Sequence, residues 1–294
     1  MTTDPAPTLA PAVARAHAFL FVPANRPDRI AKALASGAGA VIVDLEDAVP
    51  PDAKAAARDQ LAQVFAGLST AERARLLVRL NASGTPWHAG DLALVGGLAA
   101  QGLAAVMVPK AESTADLAQV AAAVGPACGL LPLVESAAGL AAAEALAHSP
   151  QVVRLVFGNL DFQADLGLAC EADEAELVSV RLALVLASRR AGLAAPVDGV
   201  TPDITDLAAL QASAARSRRG GFGAKLCIHP AQVAPVNAAL APSPAELDWA
   251  RRVIAGNDSE RGGVFVLDGK MVDAPVVRRA RQLLAQAPGQ PAIP

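Results

Sequence analysis

Eight short apolar runs, each followed by a longer stretch rich in Ala and Leu, constrain the fold of this chain more than any other feature. The runs are AFLFVP, AVIVDLE, LLVRLN, AAVMVPK, GLLPLVE, VVRLVFG, APVDGV and GAKLCIHP. Continuous apolar strands that alternate with helices predict a parallel sheet covered on both faces. Eight such units in about 220 residues fit a closed (β/α)8 barrel, the TIM barrel. An open doubly wound sheet is the alternative, but no GxGxxG motif follows the first run.

The segments on either side of the barrel differ from it in composition. Residues 1–17 carry Pro and Asp where a signal peptide needs a basic start and an apolar stretch, and they predict a disordered leader. Residues 18–242 form the predicted barrel, which we expect to be the catalytic domain. Residues 243–294 predict a helix capped by Ser243, a hairpin around Asp268–Gly269 and a final helix from Ala274. This arm is a candidate lid or subunit-exchange segment.

Composition narrows the range of partners. Hydrophobic residues make up 53% of the chain, which excludes a disordered protein, and a net charge of −3 gives no global attraction to nucleic acid or an anionic membrane. Cys128, Cys170 and Cys227 are too scattered for a disulfide framework or a CxxC metal site. No apolar run reaches membrane-spanning length without a charge, Gly or Pro. We therefore expect a soluble cytoplasmic protein that binds neither nucleic acid nor membrane.

Polar residues follow the predicted strands where the catalytic loops of such a barrel begin. Any one of them is explained equally well as an ordinary loop residue or helix cap. Several carboxylates around one barrel mouth would nevertheless repel one another unless a divalent cation lay among them. Without a Cys/His cluster, an all-oxygen site for Mg²⁺ or Mn²⁺ is favoured over zinc. The strand-end residues are Asn25, Arg26, Asp44, Glu46, Asp47, Arg79, Asn81, Lys110, Glu135, Asn159, Asp161, Asp198 and His229.

The histidines favour no His-based chemistry. Only His229 lies at a strand end, and Pro230 after it indicates a turn. His88 and His148 are expected to be solvated. No GxSxG motif is present.

Several motifs together resemble the citrate lyase β-subunit-like family of Mg²⁺-dependent acyl-CoA lyases. They include FLFVPANRPDRIAKALASGAGAVIVDLEDAV, VRLN, VMVPKAES, PLVESAAGL, RLVFGNLDFQADLG and GFGAKLCIHPAQV. The resemblance runs from Phe19 to about Leu284. Ala24 and Ser136 depart from it, since many members have Gly and Thr there. Both exchanges are between small residues.

The resemblance implies roles for particular residues. Glu135 of LVES and Asp161 of FGNLDF match the metal ligands of the family. Arg79 of VRLN matches the arginine that contacts the reacting carbonyl or carboxylate. Glu46 and Asp47 of DLED match acidic residues that hold metal-bound waters.

The resemblance also concerns coenzyme A and a second subunit. Arg26 and Lys32 lie in the region that resembles the contacts to the CoA phosphates. Asp273 of GKMVDAP matches an aspartate that completes a neighbouring subunit's active site, and the acid/base role is assigned to it. A shared site requires an oligomer, expected to be a homotrimer or homohexamer.

The implied reaction cleaves a 3-hydroxy-3-carboxy acyl-CoA into acetyl-CoA and a 2-oxo acid. Citramalyl-CoA is the leading substrate, with malyl-CoA and citryl-CoA as alternatives. Three other functions stay open: a malyl-CoA thioesterase on the same site, a non-catalytic acyl-binding subunit of a citrate lyase complex, and an aldolase for free 2-oxo acids. The intact VFVLDGKMVDAP segment favours a stand-alone enzyme.

Overall fold

In a computed structural model, which describes residues 9–260 and 262–286, eight parallel strands pair in chain order and close into a barrel. Closure is made by the first strand, which pairs with both the second and the eighth. The (β/α)8 prediction is therefore confirmed. The strands, β1 to β8, are Ala18–Pro23, Ala40–Asp44, Leu76–Arg79, Ala105–Val108, Gly129–Val134, Val156–Phe157, Val197–Asp198 and Ala224–Cys227.

One short helix precedes the first strand, and the other helices of the barrel unit follow strands and cover its outside. Short 3-10 turns at Pro51–Ala53, Ala175–Leu177 and Pro230–Gln232 lead into three of them. The helices, α1 to α11, are Pro11–Arg15, Pro27–Leu34, Lys54–Ala66, Thr70–Arg73, His88–Ala99, Thr114–Val124, Ala137–Ala147, Asn159–Leu166, Val178–Arg190, Leu207–Arg219 and Val233–Leu240.

Alternation along each strand decides which side chains point into the barrel. Ile42, Leu77 and Leu133 belong to the cluster that fills the interior. Their neighbours Val41, Val78 and Val134 belong to the cluster between strands and helices. Two residues further along the chain, the same parity turns Asp44, Arg79 and Glu135 inward at the carboxyl-terminal mouth, where the sites of TIM barrels lie.

The start of the chain corrects one prediction. Residues 1–8 lie outside the described residues, but the predicted disorder of the leader is wrong for residues 11–17. Val13 is fully buried and packs with the barrel interior. The buried Arg154 guanidinium donates to the carbonyl of Ala16 at 2.7 Å and to that of Ala195 at 2.6 Å. These tertiary contacts order a segment whose composition alone gives no sign of structure.

The barrel also differs in detail around its sixth and seventh strands. The run VVRLVFG predicts a strand over 152–158, whereas β6 covers only Val156–Phe157, and β7 is equally short at Val197–Asp198. Helix α8 was not predicted, because it begins directly after the strand. Its N-cap, Gly158, offers no side-chain cap.

Residues 241–286, as far as they are described, form a second compact unit. It contains helix α12 (Pro244–Ser259), the antiparallel strands β9 (Phe265–Leu267) and β10 (Lys270–Val272), and helix α13 (Ala274–Ala285). Ser243 caps α12 in a capping box with Glu246. Positive φ at Asp268 and Gly269 makes the tight hairpin turn. The helix–hairpin–helix pattern is confirmed, while the boundary at 242/243 and the lid role stay predictions.

Within the described residues, no helix combines the length and the apolar character that crossing a membrane requires.

Candidate active site

Arg79 is fixed at the barrel mouth by an aspartate on the neighbouring strand. Asp44 ends β2 and lies in register with Arg79, the last residue of β3. The Arg79 Nε and Nη2 atoms donate to the two Asp44 carboxylate oxygens, both at 2.7 Å. Asp44 also accepts the backbone N–H groups of Glu46 and Ala48 at 2.9 and 3.0 Å. The carboxylate therefore orients the arginine and shapes the turn after β2.

Two further carboxylates approach the same guanidinium. Arg79 Nη1 lies 3.1 Å from Glu46 and 3.3 Å from Asp47, whose side chain is 73% exposed. The buried Lys54 ammonium holds the turn from behind by donating to the carbonyls of Leu45 and Glu46, both at 2.6 Å. Burial raises the pKa of Glu46 to about 8, against the attraction of Arg79 and with the help of Asp47. Arg79 thus supplies positive charge to three of the carboxylates that the sequence places at the barrel mouth.

Glu135 follows β5 and is 5% exposed. Its Oε1 atom accepts the backbone N–H of Lys110 at 2.7 Å, and Lys110 adopts a left-handed φ of 45° there. A Cβ atom on Gly158 would lie 2.6 Å from the Glu135 Cβ, so glycine is needed for this close approach. Burial raises the pKa of Glu135 to about 7, although the Lys110 N–H opposes this, and the Asp161 charge raises it further.

Asp161 reaches the site from the first turn of α8. The next residue, Phe162, is fully buried and packs edge-to-face on Phe157 with 5.6 Å between ring centroids. This contact anchors the helix beneath an exposed carboxylate. The unpredicted helix α8 therefore positions one of the predicted metal ligands.

A cavity of about 80 Å³ brings three of the predicted residues together, since Arg79, Glu135 and Asp161 all line it. Its remaining walls include Phe21, Leu133, Asn159, Val200 and Leu226. The Arg79 guanidinium stacks over the Phe21 ring at 5.0 Å from its centroid.

The donor set fits a magnesium ion better than a zinc ion. In the part of the chain that the structure describes, no group of three or more His, Cys, Asp or Glu side chains is arranged around one point. Mg²⁺ is commonly held by one or two carboxylates, with water or substrate oxygens completing the shell. Glu135 and Asp161 line one cavity, where burial and the neighbouring Asp161 charge raise the pKa of Glu135. These residues can hold Mg²⁺ at this position.

A polar network behind the cavity was missed as a unit. Asn159 accepts the Val200 N–H at 2.9 Å and donates to Glu174 at 2.9 Å. Glu174 in turn accepts from Arg181 and Arg216, both at 2.6 Å. The amide thereby joins the ends of β6 and β7 beside Asp161. Asn159 was visible as a strand-end polar residue, but Glu174 lies in an irregular segment that no local pattern marks.

Three other candidate residues are not among those that line this cavity. The exposed Arg26 pairs with Asp28 at 2.9 Å, and Lys32 is exposed on α2. Asp273 belongs to the second unit, where it caps α13 by accepting the Val276 N–H at 3.3 Å. The proposed CoA and acid/base roles of these residues stay predictions.

One strand-end aspartate and two histidines singled out in the sequence each have hydrogen-bond partners in the fold. Asp198 turns away from the barrel interior and pairs with Arg181 at 3.0 Å. The solvation expected of His88 is wrong, because the residue is 8% exposed and its Nδ1 atom hydrogen-bonds the Asn81 carbonyl at 2.8 Å. His229 caps the turn that Pro230 begins, as predicted.

A family model, curated relatives and a solved structure all relate this chain to citrate lyase-like and malyl-CoA enzymes. The HpcH/HpaI aldolase/citrate lyase family model matches residues 17–230. A (3S)-malyl-CoA thioesterase of Cereibacter sphaeroides is 37% identical over 279 residues, covering 93% of this chain and 96% of that protein. The L-malyl-CoA/beta-methylmalyl-CoA lyase of the same species is 33% identical over 298 aligned positions, covering 91% and 93%. The structure of Mycobacterium tuberculosis CitE in complex with magnesium, acetoacetate and coenzyme A has a TM-score of 0.79 and 38% identity, covering 93% of this chain and 98% of that one.

Proposed function

Since this chain belongs to the HpcH/HpaI aldolase/citrate lyase family, we propose that it is a Mg²⁺-dependent lyase of acyl-CoA esters. It cleaves a 3-hydroxy-3-carboxy acyl-CoA into acetyl-CoA and a 2-oxo acid. The observation that carries the proposal is the cavity in which Arg79, Glu135 and Asp161 meet. The CitE structure with magnesium, acetoacetate and coenzyme A supports the choice of Mg²⁺ and of a substrate that contains coenzyme A.

The reaction breaks the bond between the hydroxyl-bearing carbon and the adjacent methylene. The hydroxyl loses its proton and becomes the carbonyl of the 2-oxo acid, while the methylene keeps the electron pair and is protonated to the methyl of acetyl-CoA. Glu135 and Asp161 would hold Mg²⁺, which would supply a Lewis acid to the substrate oxygens. Arg79, already oriented by Asp44, stabilises negative charge that develops on oxygen.

The proton transfers and the CoA contacts complete the proposal. Asp273 serves as the acid/base in a neighbouring subunit's site, within a homotrimer or homohexamer. The exposed hairpin residues Val264, Val266 and Met271 support a contact surface on this arm, because each is at least 66% exposed. Arg26 and Lys32 attract the CoA phosphates. The free cysteines fit a reducing compartment, the cytoplasm.

Thioester hydrolysis on the same site is the second candidate, and the C. sphaeroides thioesterase favours it. There a water molecule attacks the thioester carbonyl and free CoA leaves. The lyase releases acetyl-CoA instead, so the two products separate the two reactions.

The test incubates the purified protein with citramalyl-, malyl- and citryl-CoA, with Mg²⁺ or with EDTA, and identifies the products by mass. Acetyl-CoA that forms only with Mg²⁺ is the expected result. Free CoA without acetyl-CoA establishes the thioesterase. If no ester is turned over by the intact protein, a non-catalytic acyl-binding subunit becomes the better account.

A further inference from the structure

The position of Asp161 depends on helix α8, because its carboxylate has no anchor of its own. Among the described residues, none donates a hydrogen bond to this exposed side chain. Asp161 lies in the first turn of α8, two positions after Asn159, with which the helix begins. Whatever fixes Asn159 therefore also fixes one of the two carboxylates that are proposed to hold Mg²⁺.

Asn159 is held from one side by the backbone after β7. Its amide oxygen accepts the Val200 N–H at 2.9 Å, and its amide nitrogen donates to the Val200 carbonyl at 3.2 Å. A Cβ atom on Gly199 would overlap the Asn159 amide oxygen, so glycine is needed for this close approach. The same amide nitrogen also donates to Glu174 at 2.9 Å, which makes Glu174 the second support of Asn159.

Glu174 adopts a backbone conformation that a glutamate rarely takes. Its φ of 47° and ψ of 43° lie in the left-handed region, which is disfavoured for a residue with a Cβ atom. Such a conformation persists only where the surrounding contacts over-determine it. At Glu174 these contacts are made by the side chain, whose carboxylate lies where Asn159, Arg181 and Arg216 meet.

Two arginines brace the Glu174 carboxylate from the other side. Its Oε2 atom accepts from Arg181 and from Arg216 of α10, both at 2.6 Å. Arg181 is 5% exposed, pairs with Asp198 at 3.0 Å and stacks over the Phe157 ring at 5.4 Å from its centroid. Asp198 ends β7 and Phe157 ends β6, so Arg181 ties the carboxylate to two strands of the barrel.

We propose that Glu174 is a positioning residue for the metal site: it connects the two arginines to Asn159 and thereby fixes Asp161 beside Glu135. Glu174 is not among the residues that line the cavity, and it acts through the first turn of α8. The inference rests on the proposed Mg²⁺ site of the lyase and adds to that site a residue outside the cavity.

Glu174→Gln removes this connection. A glutamine side chain has one acceptor oxygen and one donor NH2 group, so it cannot accept both from Asn159 and from the arginines. The first turn of α8 is then free to shift, and the affinity for Mg²⁺ should fall about tenfold or more, the usual cost of losing a group that orients a metal ligand. Glu171→Gln, at an exposed glutamate of the same segment, is the matched control and should keep the affinity of wild type.

Arg216→Met separates positioning from simple electrostatics. Loss of the negative charge of Glu174 would by itself weaken the binding of a cation, whereas loss of the positive charge of Arg216 would strengthen it. Positioning predicts the opposite sign for Arg216, because the Glu174 carboxylate loses a brace. The affinity for Mg²⁺ should therefore fall about threefold, as expected for a partly exposed ion pair. Arg216→Lys keeps a cation beside Glu174 and should restore most of the affinity.

The test measures Mg²⁺ binding by calorimetry with wild type and each variant, at a temperature where circular dichroism shows all of them folded. At saturating Mg²⁺, kcat for the ester that wild type cleaves should fall about tenfold in Glu174→Gln, while KM changes less than about twofold. A purely structural role would lower the melting temperature but leave the Mg²⁺ affinity and kcat unchanged.

An unchanged Mg²⁺ affinity in Glu174→Gln overturns the inference, and so does tighter Mg²⁺ binding in Arg216→Met. A wild-type protein that binds Mg²⁺ but cleaves none of the three esters refutes the lyase, while the calorimetry still decides the role of Glu174. If Glu174→Gln fails to fold, the comparison of Arg216→Met with Arg216→Lys decides it.

Discussion

Replacing Glu135 by glutamine should make the metal-free protein more stable. The folded protein raises the pKa of this carboxyl from 4.5 to about 7, chiefly through burial. The folded state therefore holds the proton more tightly than the unfolded state does. That stabilisation is fully present below about pH 4.5 and is lost as pH rises through about 7. Glutamine keeps the oxygen that accepts the Lys110 N–H but never ionises.

The size of the effect follows from the two pKa values. The gap between 4.5 and about 7 corresponds to about 3 kcal/mol in the free energy of unfolding, and most of it falls between pH 5 and pH 8. The advantage of Glu135→Gln over wild type in the free energy of unfolding should therefore grow by about 2 kcal/mol across that interval. Such a gain from removing a functional charge is typical of sites built for binding rather than stability.

Urea unfolding followed by circular dichroism at pH 5, 6, 7 and 8 in EDTA measures this difference. Glu171→Gln, at an exposed glutamate away from the cavity lining, is the matched control and should show no such trend. Adding Mg²⁺ should stabilise wild type and leave Glu135→Gln unchanged. A stability difference that stays flat with pH, or a variant less stable than wild type at pH 8, would refute the reasoning.

Three further substitutions test the site and its support. Arg79→Lys keeps the charge but loses the paired hydrogen bonds, so kcat/KM should fall about 100-fold or more in steady-state assays, and near-normal activity would contradict the role. Gly158→Ala places a Cβ atom 2.6 Å from the Cβ atom of Glu135, so the affinity for Mg²⁺, measured by calorimetry, should fall about tenfold. An unchanged affinity would show that Glu135 can move away without loss. Arg154→Leu leaves the carbonyls of Ala16 and Ala195 unpaired and should lower the free energy of unfolding, measured in urea, by about 2 kcal/mol. Hydrogen exchange over residues 11–17 should become faster. A variant as stable as wild type would show that these hydrogen bonds make no net contribution to stability.

The barrel could be predicted because its signal is local and repeated. Each apolar run carries its own strand, and parity along a strand places Arg79 and Glu135 inside at its end. The ends of strands also indicate a site, since the carboxyl ends of parallel strands meet at one mouth. The ion pair between Asp44 and Arg79 could also have been predicted in this way, because the two residues end neighbouring strands and lie in register.

What could not be predicted depends on contacts between distant segments. The helix at Pro11–Arg15 is held by Arg154, whose bond to Ala16 spans 138 positions. The network at Glu174 joins three segments, and no pattern within any one of them reveals it. Glu46 and Asp47 suggested a cation among the acids, whereas part of that positive charge is supplied by Arg79 from within the chain.

The pairing of β1 with β8 has a consequence for how the chain is made. Leu20, near the start, needs Cys227 as its partner. At about 5–20 residues per second, synthesis of the intervening chain takes roughly 10–40 s. During that time one edge of β1 stays open, with β2 as its available neighbour, and an unpaired edge invites pairing with other chains. The barrel can therefore close only when β8, the last strand to be synthesised, pairs with β1, the first. Until then the nascent chain keeps an open strand edge through which it can aggregate.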